Sequence, residues 1–314
     1  MKINKETVII ALKGFCMGSA DVIPGVSGGT MAFILGIYPR LLAAINSFDL
    51  VWLRLLMRLD LKGALIHPHF GFLLPLGAGI LAALLFFTRV VPLPSYLMTH
   101  PELVYGLFFG LIVGSIVVLL EHVPQLSGIR WLQLTVGTLL GLLVVNLVPT
   151  TTPDAAWFIF LSGALAITAM ILPGISGSFI LLILGKYAYI FDAIGHFRFT
   201  VIIPFALGVA TGLAMFSRFL DWLLRVYREG TIMVIIGILI GSLWLIWPFQ
   251  DRVYVEVRGK QQLLGSTPIL PDGLDSTVLW SVLLMIAGFV IVLAVERLSQ
   301  AKDEGKSIIS VGVD

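Results

Sequence analysis

Two short stretches decide how this chain folds: Ile23-Pro24-Gly25-Val26-Ser27-Gly28-Gly29 and Leu172-Pro173-Gly174-Ile175-Ser176-Gly177-Ser178. Each interrupts a long apolar run. Proline ends the helix before it, because it lacks an N–H and its ring collides with the preceding turn. The glycines then permit a sharp reversal and a close backbone approach. Each stretch therefore predicts a broken helical hairpin, with arms near residues 6–23 and 26–45 in one case and 155–172 and 175–194 in the other.

An offset of 149 residues lays one break on the other, and the match continues on both sides. Gly14 falls on Gly163, Ala20 on Ala169, Leu35 on Leu184, Gly36 on Gly185, Tyr38 on Tyr187 and Ile45 on Ile194. With slightly different gaps, Pro75, Gly79 and Arg89 match Pro204, Gly208 and Arg218, while Gly110, Gly114 and Ser115 match Gly237, Gly241 and Ser242. Further apolar runs lie near 71–91, 102–120, 131–148, 200–223, 231–248 and 277–296, each close to the ~20 residues that cross a bilayer. The chain thus reads as two transmembrane repeats, 1–149 and 150–314, each a broken or re-entrant hairpin plus about three spans, or else five full spans. An odd number of crossings per repeat inverts the second relative to the first, an arrangement common among secondary transporters.

Composition agrees. Hydrophobic residues make up 58% of the chain and charged residues 12%, about half of what a water-facing globular surface carries. The expected class is an all-α polytopic membrane protein, which excludes a cytosolic enzyme, a disulfide scaffold and a disordered chain. A net charge of +2 gives no nucleic-acid footprint, and Cys16 is the only cysteine. Lys13 interrupts the first apolar run and no small-x-small site follows, so the first helix reads as mature protein rather than a removable signal. With both termini inside, Lys2, Lys5, Lys13, Arg54, Arg58, Lys62, Arg130, Arg225, Arg228, Arg297, Lys302 and Lys306 face the cytoplasm. Only Arg198, Arg252, Arg258 and Lys260 face out, and twelve against four obeys the positive-inside rule. The polar segment 249–276 is then extracytoplasmic, and its Val253-Tyr254-Val255-Glu256-Val257 alternation predicts a short strand.

Four cations remain within or at the ends of apolar segments: Arg40, Arg89, Lys186 and Arg218. Charges there are costly unless they face a cavity or a partner, or snorkel from a helix end. Arg89 and Arg218 are repeat counterparts, and Arg40 and Lys186 each follow a motif, which points to an anion site. Ser27, Gly28, Gly29 and Thr30, with Ser176, Gly177 and Ser178, open the returning arms and offer free N–H groups and hydroxyls to an anion. The competing use of those glycines is close helix packing. Asp21, whose counterpart is Met170, breaks the symmetry and is the candidate for coupling to H⁺ or Na⁺, or for a structural ion pair. Glu102 and Asp192 lie near predicted interfaces, and Glu121 and His122 in a solvated loop. No His, Asp or Glu set, His67 and His69 included, has metal-ligand spacing, so neither metal nor cofactor is expected.

From Lys13-Gly14 to Tyr38, centred on Ala20-Asp21-Val22-Ile23-Pro24-Gly25-Val26-Ser27-Gly28-Gly29-Thr30, the chain resembles the bacterial polyprenyl-phosphate (undecaprenyl-phosphate) translocases of PopT type, long catalogued as a domain of unknown function. The second motif, Pro173 to Tyr187, and the length also fit. The resemblance implies transport of undecaprenyl phosphate from the outer to the inner leaflet of the bacterial cytoplasmic (inner) membrane, which recycles the carrier for cell-wall and surface glycans. The partner is then a polyprenyl-phosphate lipid, and the protein is a flippase rather than an enzyme. Two alternatives stay open. One is a transporter of a small soluble anion, since helix ends and arginines do not report tail length. The other is an intramembrane polyprenyl-pyrophosphate phosphatase, against which Gly28 and Gly177 stand where that family's Pro-Gly-x-Ser-Arg-Ser-Gly motif has arginine, a residue type that phosphoryl transfer relies on.

Overall fold

The computed structural model describes residues 4–22, 26–91, 99–121, 123, 127–147, 152–257, 260–271 and 273–311. Ile23, Pro24 and Gly25 of the first break lie outside them, as do His122 and Arg258. The first half is α1 (Lys5–Asp21), α2 (Gly28–Ile34), α3 (Tyr38–Asn46), α4 (Leu50–Met57), α5 (Leu61–Ile66), α6 (Phe70–Arg89), α7 (Pro101–Glu121) and α8 (Gly128–Val145). The second is α9 (Ala156–Ile171), α10 (Gly177–Ile183), α11 (Tyr187–Gly195), α12 (Phe199–Val226), α13 (Arg228–Ile246), the antiparallel strands β1 (Gln250–Val257) and β2 (Lys260–Pro268), and α14 (Ser276–Val311).

Six helices among the described residues, α6, α7, α8, α12, α13 and the Ser276–Arg297 part of α14, are long and apolar enough to cross a membrane. The protein is therefore a multi-pass membrane protein. The broken hairpins are the remaining membrane elements. In the first, α2 and α3 meet at a 119° bend; in the second, α10 and α11 meet at 106°. Both bends turn on a glycine in the left-handed region, Gly36 (φ +66°) and Gly185 (φ +63°). The N–H groups of Gly36 and Ile37 donate to the Phe33 and Ala32 carbonyls, and those of Gly185 and Lys186 to Leu182 and Leu181. This is the Schellman cap twice, at corresponding positions.

Each hairpin returns to the level at which it began. Lys13 Nζ, on α1, donates to the Leu35 carbonyl at 2.6 Å, and Arg40 pairs with Glu6 at 2.9 Å. In the other hairpin Lys186 Nζ reaches the Thr152 carbonyl at 2.9 Å and Asp154 at 2.5 Å, and the Thr152 hydroxyl donates to the Leu184 carbonyl. These contacts tie each returning arm to the first arm of its own hairpin.

Packing follows glycines. α1 lies parallel to α6, with Gly14 against the Leu76 backbone and Gly18 against Ile80; α9 lies parallel to α12, with Gly163 against Phe205 and Gly212 against Ala164. α6 and α12 each carry a proline in the second turn, Pro75 and Pro204. The other helices pair across the halves. α7 runs parallel to α14 with Gly110 on Met285, and α8 parallel to α13 with Gly137 on Val234 and Gly237 on Leu134. The boundary near residue 149 therefore divides the repeated sequence but not the packing. Half of α7 and 61% of α13 is buried, against 17–28% of the other four long helices, so this contacting pair forms the centre.

Candidate functional site

The two breaks meet beside that central pair. Gly29 lies so close to the Met170 and Ile171 carbonyls, the last turn of α9, that a β-carbon there would sit 2.8–3.0 Å from both. The N–H of Gly174, held at φ +92°, donates to Thr30 Oγ1 at 2.8 Å, and the Tyr38 hydroxyl donates to the Ile171 carbonyl at 2.8 Å. Both bonds cross from one half to the other. Gly177 likewise packs on the Ala166 carbonyl of its own hairpin. Thus the tip glycines do serve close packing, and that packing brings the polar groups of both motifs to one place.

Those polar groups are not all spoken for. The Gly28 N–H donates to Asp21 Oδ1 at 2.8 Å, so the chain's own carboxylate sits at the start of α2. Ser176 and Ser178 share a hydrogen bond of 2.8 Å between their hydroxyls. Ser27 Oγ, by contrast, has no hydrogen-bond partner among the described residues although Ser27 is only 2% exposed. A buried hydroxyl without a partner costs free energy comparable to a lost hydrogen bond, which marks the first tip as a place where a ligand group would be stabilised.

A cavity of about 550 Å³ reaches the first tip at Thr30. Thr30 lies at its deep end with Tyr38 and Ser115, and apolar side chains of α2, α3, α7, α13 and α14 form its walls, among them Phe33, Leu42, Val118, Ile232 and Val292. Asp221, Arg225, Arg228 and Glu296 line its mouth. Arg225 is paired with Asp221 at 2.9 Å, while Arg228 is exposed at the first residue of α13. A single residue, Tyr227, joins α12 to α13, which forces both arginines onto the rim. In the sequence they read only as cytoplasmic loop charges; two arginines where one apolar run abuts the next become a site only once the fold sets α2 and α14 beside them.

The four cations singled out from the sequence lie elsewhere. Arg40 pairs with Glu6 and sits 4.7 Å from the Phe72 ring, at the foot of the first hairpin. Lys186, 2% exposed, is held by Asp154 and Thr152 at the foot of the second. Arg218 donates to the Ala214 and Phe48 carbonyls, tying the end of the first hairpin to α12. Arg89 is exposed in the last turn of α6. The structure joins Asp21 to Gly28 and sets Gly29 and Thr30 against Met170, Ile171 and Gly174 of the second break, with Ser176, Gly177 and Ser178 following in that hairpin; the membrane cations lie apart, and three of them tie the hairpins down. Asp192 is engaged by Arg198 and His196, and the Glu102 carbonyl by the Ser281 hydroxyl.

Comparison with known proteins adds the identity of the fold's relatives. The sequence profile of the VCA0040-like family, described as undecaprenyl phosphate translocase-like, matches residues 17–263. The chain is 36% identical over 297 residues to a polyprenyl-phosphate transporter of Vibrio cholerae serotype O1, covering 92% of this chain and 96% of that protein. It is 28% identical over 257 residues to a polyprenyl-phosphate transporter of Staphylococcus aureus, covering 76% of this chain and 85% of that one. No solved structure matches the chain. With the profile spanning most of the sequence and the Vibrio relative nearly all of it, this chain with its two broken hairpins belongs to the undecaprenyl phosphate translocase-like family.

Proposed function

We propose that the protein moves undecaprenyl phosphate from the outer to the inner leaflet of the bacterial cytoplasmic membrane, and so returns the lipid carrier for cell-wall and surface-glycan synthesis. The family and both relatives carry transporter names, and the relatives are named for polyprenyl phosphate. The observation that carries the site is the cavity running from Arg225 and Arg228 to Thr30 at the junction of the tips. In this reading the phosphate enters that chamber and the prenyl tail stays in lipid. Arginine suits the rim because its planar fork gives a phosphate two parallel bonds. Thr30, Ser27 and the serines of the second tip supply donors deeper in. Arg40, Lys186 and Arg218 hold the hairpin feet while the tips separate.

Asp21 gives a place for ion coupling. Its carboxylate holds the Gly28 N–H that a phosphate oxygen would otherwise take, so proton or Na⁺ binding to Asp21 and phosphate binding to the tip are linked. The inverted-repeat reading is supported by the repeated Schellman bends and by the helix pairs α1–α6 and α9–α12, which keep the same internal geometry in each half. If the rim faces the cytoplasm, as the positive-inside count supports, the arrangement reads as inward-open, and outward opening would break the Thr30–Gly174 and Tyr38–Ile171 bonds.

Competition on the purified protein tests the substrate. Labelled polyprenyl phosphate is displaced by unlabelled lipid phosphate, weakly by polyprenol, and weakly by a phosphate monoester without a tail. If the tail-less monoester competes equally, the protein carries a soluble anion. Phosphate release from farnesyl pyrophosphate would instead make it a phosphatase.

A further inference from the structure

The first half contains an element that the second lacks. Between α11 and α12 the connection is residues 196–198, but between α3 and α6 the chain inserts the two short helices α4 and α5. They form a fixed unit: Trp52 Nε1 donates to the Ala64 carbonyl at 3.0 Å, His67 bonds Asp49 at 3.0 Å, and Trp52 packs edge-on to Phe48. Phe48 in turn packs on Phe70 at the start of α6 and accepts from Arg218. The unit therefore sits at the same end of the molecule as the feet of the first hairpin.

Its outer surface does not suit water. No residue of α4 is buried, and Leu50, Leu53, Met57, Leu61, Leu65 and Ile66 are exposed, Leu65 by 67% and Met57 by 69%. Leu59, 80% exposed, occupies the left-handed region at φ 56°, where glycine or asparagine would be unstrained. Keeping a large apolar side chain there against strain implies that the side chain is used. Arg54, Arg58 and Lys62 are interleaved with this apolar surface and exposed. The unit's two acids serve as helix caps and stay accessible to solvent, Asp49 accepting the Trp52 N–H at 2.9 Å and Asp60 the Gly63 N–H at 2.9 Å. With three cations against two acids engaged as caps, the surface is apolar with a net positive charge, the combination that lies in a membrane interface and selects anionic headgroups.

We propose that α4 and α5 form an interfacial anchor, seated among the headgroups of the leaflet next to the first hairpin's feet, which binds anionic phospholipid through Arg54, Arg58 and Lys62. Basic stems lie along the apolar surface while their charges reach phosphate. The anchor would fix the first hairpin against the bilayer while the tips move. This inference does not depend on which substrate is transported.

The test uses full-length protein with Cys16→Ser and Leu61→Cys, labelled with an environment-sensitive fluorophore and reconstituted in phosphatidylcholine vesicles. Brominated phosphatidylcholine or brominated phosphatidylglycerol is added as quencher, and iodide as the aqueous quencher. The expected result is quenching by both lipids, little by iodide, and preferential association of phosphatidylglycerol by roughly fivefold for each cation engaged. The triple variant Arg54→Gln, Arg58→Gln, Lys62→Gln loses the preference and keeps the lipid quenching, a readout that also shows the unit is folded. Strong iodide quenching, equal quenching by the two lipids, or protection from all three by a second copy of the chain would each overturn the proposal.

Discussion

At the residue scale, one backbone conformation separates strain from packing. Gly36 sits at φ +66° with nothing within 4 Å of where a β-carbon would stand, whereas Gly195 has equal space and no positive φ. Gly36→Ala should therefore cost about 1–2 kcal/mol through the left-handed conformation alone. Gly195→Ala should be neutral or slightly stabilising. Thermal melting in detergent checks both, and a Gly36→Ala protein as stable as wild type would contradict the Schellman bend. Asp49 gives a second residue-level expectation. The Trp52 N–H, with a smaller part from His67, holds its carboxyl below the ordinary aspartate range. A depressed carboxyl contributes its stability above the unfolded value and loses it only as pH falls through the folded one. The cap is hence intact at neutral pH, and Asp49→Ala should loosen α4 by about 1 kcal/mol, read as faster amide exchange at Trp52. Asp21 and the tip residues Ser27 and Thr30 were legible from the sequence because proline, glycine and hydroxyl residues mark a helix break. Arg225 and Arg228 were not, because a cation near a membrane end looks the same whether it meets water or a cavity.

At the element scale, the hairpins were legible and their return was not. Pro173 and Gly174 announce a break, but a broken span and a re-entrant arm have the same local sequence. The contacts that fold each arm back on its hairpin, Lys13 with Leu35 and Lys186 with Asp154, join residues 22 and 32 positions apart. The tips are held across the halves by single hydrogen bonds. Tyr38→Phe removes the bond to Ile171 and should cost about 0.5–1.5 kcal/mol, while leaving the ring packed against Phe33. If the tips part during transport, the same change should alter turnover more than binding. A variant with unchanged stability and unchanged turnover would show that this bond does not tie the tips together.

At the scale of the whole molecule, the 149-residue offset is a pattern in the sequence, and the exchange of helices between the two halves is not legible from it. Repetition says that α7 and α13 correspond, as do α8 and α14. It does not say that α7 packs on α14 and α8 on α13. Gly110 abuts the Met285 backbone so closely that Gly110→Ala must push α7 and α14 apart, at a cost on the order of 1–3 kcal/mol. For the same reason residues 1–149 and 150–314 expressed separately should each fail to fold and should assemble when co-expressed. A stable, monomeric first half would contradict the exchange.

The most direct test of the central claim is leaflet exchange of undecaprenyl phosphate in proteoliposomes, followed with a reagent specific for the phosphate head group. Wild-type protein should equalise the label across the leaflets. Arg228→Gln with Arg225→Gln, or Thr30→Val, should slow exchange by roughly tenfold or more, the size of one lost charge-assisted bond. Arg89→Gln, away from the chamber, should retain exchange. If the chamber variants exchange the lipid as fast as wild type, or if wild type moves it no faster than protein-free vesicles, the chamber between Arg228 and Thr30 is not the path of the phosphate.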